Sequence, residues 1–359
     1  MNIAILGAGG FIGSHMVEHL LARGEHAVVG VDHSDEKLEG IGGRGFRFFR
    51  ADVRTAPELL ERVIREADVV VDLLAHANPS LYVSSPLAVF DLNFTINLEV
   101  ARRCIRHGRR LIQYSSAEVY GKSAAGEAYH EDTSDSVFGP VPKSRWIYAT
   151  AKVLLERVLL AHAAAGELDC TIVRPFNFLG SRIDYLVPAG ATGGPRVFPH
   201  FMSALLTGGP LRLVDGGHVN RAFLHIDDAT AAFQILLDRH DDARGQCFNV
   251  GNPQNNVSVR AFAQLMREMY AELTGAPPSS AVVEMSGEEF YGAGYEDGNR
   301  LPPDITKMRA LGWEPRRDLR TTVRDAMAFY LNLPRSGTLP SYPAVAGAQP
   351  LGASLATGT

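Results

Sequence analysis

The chain has 359 residues, 46% of them hydrophobic, and a formal net charge of −5. That length exceeds an ordinary single domain, so two lobes sharing a cleft are expected, with apolar content for a sizeable core. The mild acidity gives no reason to expect nucleic acid or anionic membrane as partner, and no apolar stretch approaches a membrane span. Cys104, Cys170 and Cys247 lack metal-ligand spacing, so no metal is expected; they read as buried thiols of a reducing, cytoplasmic protein.

Residues 2–6 form a short apolar run that reads as a buried strand, not a signal peptide. Gly7, Gly10 and Gly13 follow it. They suit, in turn, a sharp turn, close approach of backbone to a pyrophosphate, and tight packing of the next helix, about 11–23. Phe11 and Ile12 open that helix, whose N-terminal amides point at phosphate charge. A second strand at 27–31 ends at Asp32 and His33, and an acid about 20 residues beyond the glycines suits the ribose hydroxyls of a dinucleotide. Asp32 repels a 2′-phosphate and no arginine adjoins it, so NAD is expected over NADP.

Further strands are predicted at 46–50, 68–74, 110–115 and 169–174, and helices at 57–66, 86–107 and 148–164. This alternation predicts an α/β fold with a doubly wound parallel sheet. Asp52 and Val53 end the third strand, and Leu74, Ala75 and His76 end the fourth, at the carboxyl edge where ligands bind. Asn93, with Asn97, could hold backbone on the nicotinamide side or merely cap structure. Ser116 follows the fifth strand and precedes Glu118. Tyr148 and Lys152, four residues apart, share one helix face. An ammonium beside that phenol favours phenolate, which can take a proton from an alcohol while hydride leaves for the cofactor.

After Pro175 the pattern loosens. Loops at 180–195 and 207–217 separate helices near 196–206, 227–238, 258–273 and 319–331. The expected division is a dinucleotide-binding Rossmann domain at 1–175, a smaller substrate-binding lobe at 176–332, and a disordered tail at 333–359.

These motifs, with Arg174-Pro175-Phe176-Asn177 and Arg221-Ala222-Phe223, resemble those of the extended short-chain dehydrogenase/reductase superfamily. The resemblance is to its NAD-dependent nucleotide-sugar epimerases, dehydratases and decarboxylases. UDP-glucuronate decarboxylases and UDP-apiose/xylose synthases are the most similar, through residues 139–148, 213–217, 248–253 and 289–295. The resemblance implies bound NAD, transient oxidation of sugar C4, and Ser116, Glu118, Tyr148 and Lys152 as catalytic residues. It also implies Arg145, Asn177, Arg196, Arg221, Tyr295 and Arg300 as contacts of the nucleotide-sugar substrate. Ala117 stands where the decarboxylases carry a serine. Ala117 and Ala77 stand where the apiose-forming enzymes carry cysteines. An ungapped count puts Leu301 at the decarboxylases' C5 arginine and Arg300 one residue early, which in extended chain turns the side chain to the other face. The reading placed first is therefore a nucleotide-sugar 4-epimerase. A UDP-glucuronate decarboxylase and a non-catalytic NAD-binding regulatory protein are the alternatives. A homodimer is expected through residues 86–107 and 148–164, using Leu92, Ile96, Val100, Leu154, Val158 and Leu159.

Overall fold

The structure, a computed structural model, describes residues 1–332 except 123–125, 189–190, 195 and 299; the expected tail lies outside the described residues. Strands β1 (Asn2–Leu6), β2 (Ala27–Asp32), β3 (Phe46–Arg50), β4 (Val69–Asp72), β5 (Arg110–Tyr114) and β6 (Cys170–Pro175) follow the predicted rhythm. They are followed by β7 (Asn177–Leu179), β8 (Leu211–Val214), β9 (Asn220–His225), β10 (Gln246–Val250), β11 (Asn256–Ser258) and β12 (Val282–Met285).

One parallel sheet runs β3-β2-β1-β4-β5-β6-β10, with the chain order reversing beside β1. Its central strands are buried on both faces, so they read as continuous apolar runs. Within β1, Ile3 and Ile5 join one core while Ala4 and Leu6 join the other. The first of these cores continues without a break into Phe201, Phe223 and Phe262 of the second half of the chain. The two halves therefore share one apolar core, and β10 returns to the sheet edge beside β6. The remaining strands form two small sheets, β7-β9-β11 and β8-β12.

Two predicted segments differ in detail. The helix expected over 86–107 is three pieces: Pro86–Phe90, a wider π turn at Asp91–Ile96, and Asn97–His107. π turns interrupt helices at functional sites more than elsewhere, and this one carries Asn93 and leads directly into Asn97, both fully buried. The loop expected at 207–217 contains β8, paired in parallel with β12. Three of the six residues expected at a dimer contact, Leu92, Val100 and Leu159, are buried within the protomer. Leu154 stays 44% exposed.

A buried polar network positions the helix Ile147–Ala164. Arg174 on β6 donates through Nε and Nη2 to the Glu156 carboxylate (Nη2–Oε2 2.6 Å), and through Nη1 to the Tyr120 hydroxyl and the Glu131 carbonyl. Each partner neutralises a charge that would otherwise be costly to bury. Glu156→Ala should leave Arg174 uncompensated and cost ~3–5 kcal/mol, read as a lower denaturant midpoint with unchanged slope.

Candidate functional site

At the end of β1 the chain turns into the helix Phe11–Arg23 through glycines. A Cβ on Gly9 would stand 1.8 Å from the Ser34 carbonyl oxygen, and one on Gly13 would stand 2.2 Å from that of Gly7. The tight contact of Gly9 is with the protein's own Ser34 backbone, while a Cβ on Gly10, the helix N-cap, would meet only the Gly7 carbonyl at 3.2 Å and leave that side open. No side chain caps this N-terminus and no acid occupies its first turn, so its amides remain open to an anion. Gly7, Gly10, Phe11, Ile12 and Gly13 all line one cavity of about 390 Å³.

Asp32 is buried at the end of β2. Its carboxylate accepts from the amides of Gly9 (3.0 Å) and Ser34 (3.2 Å) and pairs with His33 (2.8 Å), whose imidazole pKa rises because of that bond. The glycine cradle, the open amides and a fixed carboxylate at the neighbouring strand end fit a dinucleotide. A 2′-phosphate there would meet the charge of Asp32.

The remaining cofactor-path residues divide. Ala75 lines the cavity, whereas Val53 packs into the apolar core and Leu74 against it. Asp52 is held by Arg54 at 2.7 Å, which keeps its carboxyl below the usual range. Burial lowers the pKa of the His76 imidazole, and its Nε2 has no partner among the described residues. Asn93 donates to the Val89 carbonyl (2.8 Å), while its Oδ1 is likewise unpartnered. Buried polar atoms left unsatisfied by the protein mark places where a ligand completes the bonding.

Tyr148 lies against the cavity with its ring flat on Tyr82, centroids 4.7 Å apart at 7°. Burial pushes its phenol up to about 12, opposed by a hydrogen bond with Ser116. Ser116 ends the extended segment after β5, and its hydroxyl also accepts from the Glu118 amide at 3.1 Å. Lys152 sits fully buried behind the tyrosine. Its Nζ donates to Asn97 Oδ1 (3.2 Å) and to the Tyr114 carbonyl (3.0 Å). Burial lowers this amine to about 8.

Across the cavity stand charges that only the fold brings together. Glu118 is gripped by Arg145 (2.7 Å) and Arg300 (2.8 Å). Burial alone would raise its carboxyl, but the guanidinium groups of Arg145, Arg300 and Arg221 outweigh it and hold the group at about 2. Asp297 accepts from Arg221 (2.8 Å) and from the Tyr295 hydroxyl (3.2 Å), and is held far below the carboxylate range despite its burial. The expected displacement of Arg300 is therefore corrected. Both Arg300 and Leu301 line the cavity.

Five arginines, at 145, 196, 212, 221 and 300, face two carboxylates around this space among the described residues. The surplus positive charge suits a diphosphate. Arg145 makes the point most sharply: it is 3% exposed, and its Nε and Nη1 have no partner among the described residues. Asn177 lines the same wall, with its amide 3.4 Å from the Ala222 carbonyl, and Arg196 pairs with Asp184 at 3.1 Å. Sequence reasoning did not single out Tyr82, Asp297, Arg212 or Gly9. Gly9 stood inside the glycine motif, and Asp297 lay two residues beyond Tyr295; Tyr82 gave no periodic or motif signal.

A side chain at Gly9 should displace the loop that cradles phosphate. Gly9→Ala is expected to purify with little or no bound NAD, measured by extracting and quantifying the cofactor, while Gly10→Ala retains more.

The NAD dependent epimerase/dehydratase family model matches residues 3–251. The UDP-D-apiose/UDP-D-xylose synthase of Oryza sativa subsp. japonica is 38% identical, over 92% of this chain and 89% of that protein. UDP-D-apiose/UDP-D-xylose synthase 1 of Arabidopsis thaliana is 37% identical, over 92% and 91%. Among solved structures, the PbgP3 protein of Burkholderia pseudomallei superposes with a TM-score of 0.80 at 33% identity, covering 92% of this chain and 96% of that one. The UDP-glucuronic acid 4-epimerase of Bacillus cereus shares the fold, with a TM-score of 0.76 at 21% identity over 93% and 100% of the two chains. With a glycine cradle, an acid at the second strand end and a family match across most of its length, this chain belongs to the NAD dependent epimerase/dehydratase family and uses NAD.

Proposed function

We propose that this enzyme oxidises C4 of a UDP-linked glucuronate and releases the C6 carboxylate as carbon dioxide, forming a UDP-linked pentose. The observation that carries this reading is Arg300 paired to Glu118 in the cavity that holds Ser116 and Tyr148. The names of the relatives at 37–38% identity support it.

NAD, when bound, supplies the hydride acceptor and donor at C4. Tyr148, as phenolate, takes the C4 hydroxyl proton, with Ser116 bridging the phenol and the sugar oxygen. The positive charge of Lys152 favours that phenolate. Oxidation makes the sugar a β-keto acid. The C5–C6 bond then breaks, carbon dioxide leaves, and its electron pair moves into the enolate spanning C4 and C5. Arg300 holds charge at this end of the substrate. A guanidinium does not readily give up a proton, so its part is electrostatic, and a water it orients supplies the proton to C5. Arg145 and Arg221 hold the diphosphate side.

The 4-epimerase placed first by sequence asks only for Ser116, Tyr148 and Lys152 and leaves the Glu118–Arg300 pair without a use. A regulatory role leaves all of them without one. Ala77 and Ala117 both line the cavity, and the three cysteines are buried elsewhere with thiols pushed up by desolvation. No thiol stands where the apiose-forming enzymes carry theirs, so a straight-chain pentose is the proposed product. We also infer a homodimer across the outer faces of residues 86–107 and 147–164, where Leu87 is 81% and Leu154 44% exposed.

Incubation with UDP-glucuronate should release carbon dioxide and give a product lighter by that mass; unchanged mass with altered sugar couplings would replace this reading by the epimerase. Tyr148→Phe should abolish turnover with NAD still bound. Arg300→Met should slow carbon dioxide release by ~10²–10⁴-fold. Light scattering at micromolar concentration should give twice the chain mass, and a stable monomer would remove the dimer.

A further inference from the structure

Asp72 is the last residue of β4 and has no solvent exposure. Nothing in the reaction above uses it. Its Oδ1 accepts from the Leu74 amide (3.0 Å), and its Oδ2 accepts from Asn97 Nδ2 (3.0 Å). Asn97 Nδ2 also donates to the Leu74 carbonyl (3.2 Å). Both amide hydrogens of Asn97 thus have acceptors on the β4 side, and this fixes the rotation of the side chain. Only Oδ1 can then face Lys152, whose Nζ it meets at 3.2 Å. Reversing the amide would set donor against donor at the lysine and leave Asp72 facing an acceptor.

We propose that Asp72 is a positioning residue that orients Asn97 and, through it, keeps the buried Lys152 amine charged and directed at the site beside Tyr148. This rests on the reading of Tyr148 and Lys152 given above. Two acceptors serve the amine, from Asn97 and Tyr114, and neither is charged. A fully buried ammonium needs a counter-charge to stay protonated. The charged and titratable groups around this pair are few. From the helix of Asn97 comes the Cys104 thiol, while β5 offers no charge, only the neutral Gln113 amide beside Asp72 and the Tyr114 carbonyl at the amine. From the lysine's own helix comes Glu156, already committed to Arg174. Asp72 is the carboxylate that remains. Burial raises it to about 6 and lowers Lys152 to about 8, so between these values the two are oppositely charged.

The chain has five lysines, so the Nζ of Lys152 can be followed by ¹⁵N NMR, assigned by its loss in Lys152→Met. In the full-length NAD-bound protein, Asp72→Asn should lower the Lys152 titration midpoint by about one pH unit or more. Melting temperature and NAD content should hold. The alkaline limb of kcat should move down by the same interval, with turnover on UDP-glucuronate near normal at pH 6 and about fivefold lower at pH 8. Asp72→Leu, which also frees Asn97 to rotate, should lose turnover at every pH. An unmoved lysine midpoint in Asp72→Asn would overturn the proposal. So would a loss of activity independent of pH in that variant. If instead the midpoint moves as expected while Lys152→Met turns over normally, the fault lies in the role given to Lys152, and the coupling to Asp72 stands.

Discussion

Burying an amine is the constraint around which this site is built. Lys152 has no access to water, and taking an ammonium out of water costs several kcal/mol unless the protein replaces its solvation. That replacement comes from three separate elements: the end of β5 through the Tyr114 carbonyl, the start of the helix Asn97–His107 through Asn97, and β4 through Asp72. Each must be in register for the others to matter. The π turn at Asp91–Ile96 is part of this, because it sets where Asn97 enters the next helix.

The opposite side of the cavity solves another electrostatic problem. Five guanidinium groups converge there, and they would repel one another without Glu118 and Asp297 interposed. The two carboxylates hold three of them, Arg145, Arg221 and Arg300, and each is gripped by two; Arg196 pairs with Asp184 and Arg212 donates to the Ala191 carbonyl. They leave a net positive charge, and unpartnered N–H groups on Arg145, for a substrate's phosphates to complete. A uronate adds one more negative charge than a neutral hexose, so a cavity biased in this way holds it better.

Much of this was legible in the sequence because it is local. Strands β1 to β6 followed from apolar runs bounded by turns, and the glycines, Asp32 and the Tyr148/Lys152 spacing each carry a mechanical meaning within a few residues. The seventh strand was not foreseen. β10 lies after a long excursion through the second half of the chain, and its pairing with β6 is set by tertiary packing. The register of Arg300 failed for a related reason. Alternation of side chains holds along an extended strand, but Asp297 and Arg300 belong to no strand, and both they and Leu301 line the cavity. Tyr82 stacks on Tyr148 from a short helix that no apolar period announces.

The two alanines at 77 and 117 bear on chemistry through what they omit. Once C4 is a ketone, loss of the neighbouring carboxylate needs little beyond stabilisation of the enolate, which fixed charges supply without a nucleophile or a redox thiol. Breaking and rejoining the sugar's carbon chain asks for groups that trade protons at two further carbons. A cavity walled by methyl groups at those positions offers none, whereas the charges of Arg300 and Glu118 are what the proposed decarboxylation asks for. The same fold with thiols at these two places would have a second route open from the same intermediate. On the proposed mechanism the product is decided less by the oxidation assigned to Tyr148 than by which side chains surround the ketone while it lasts.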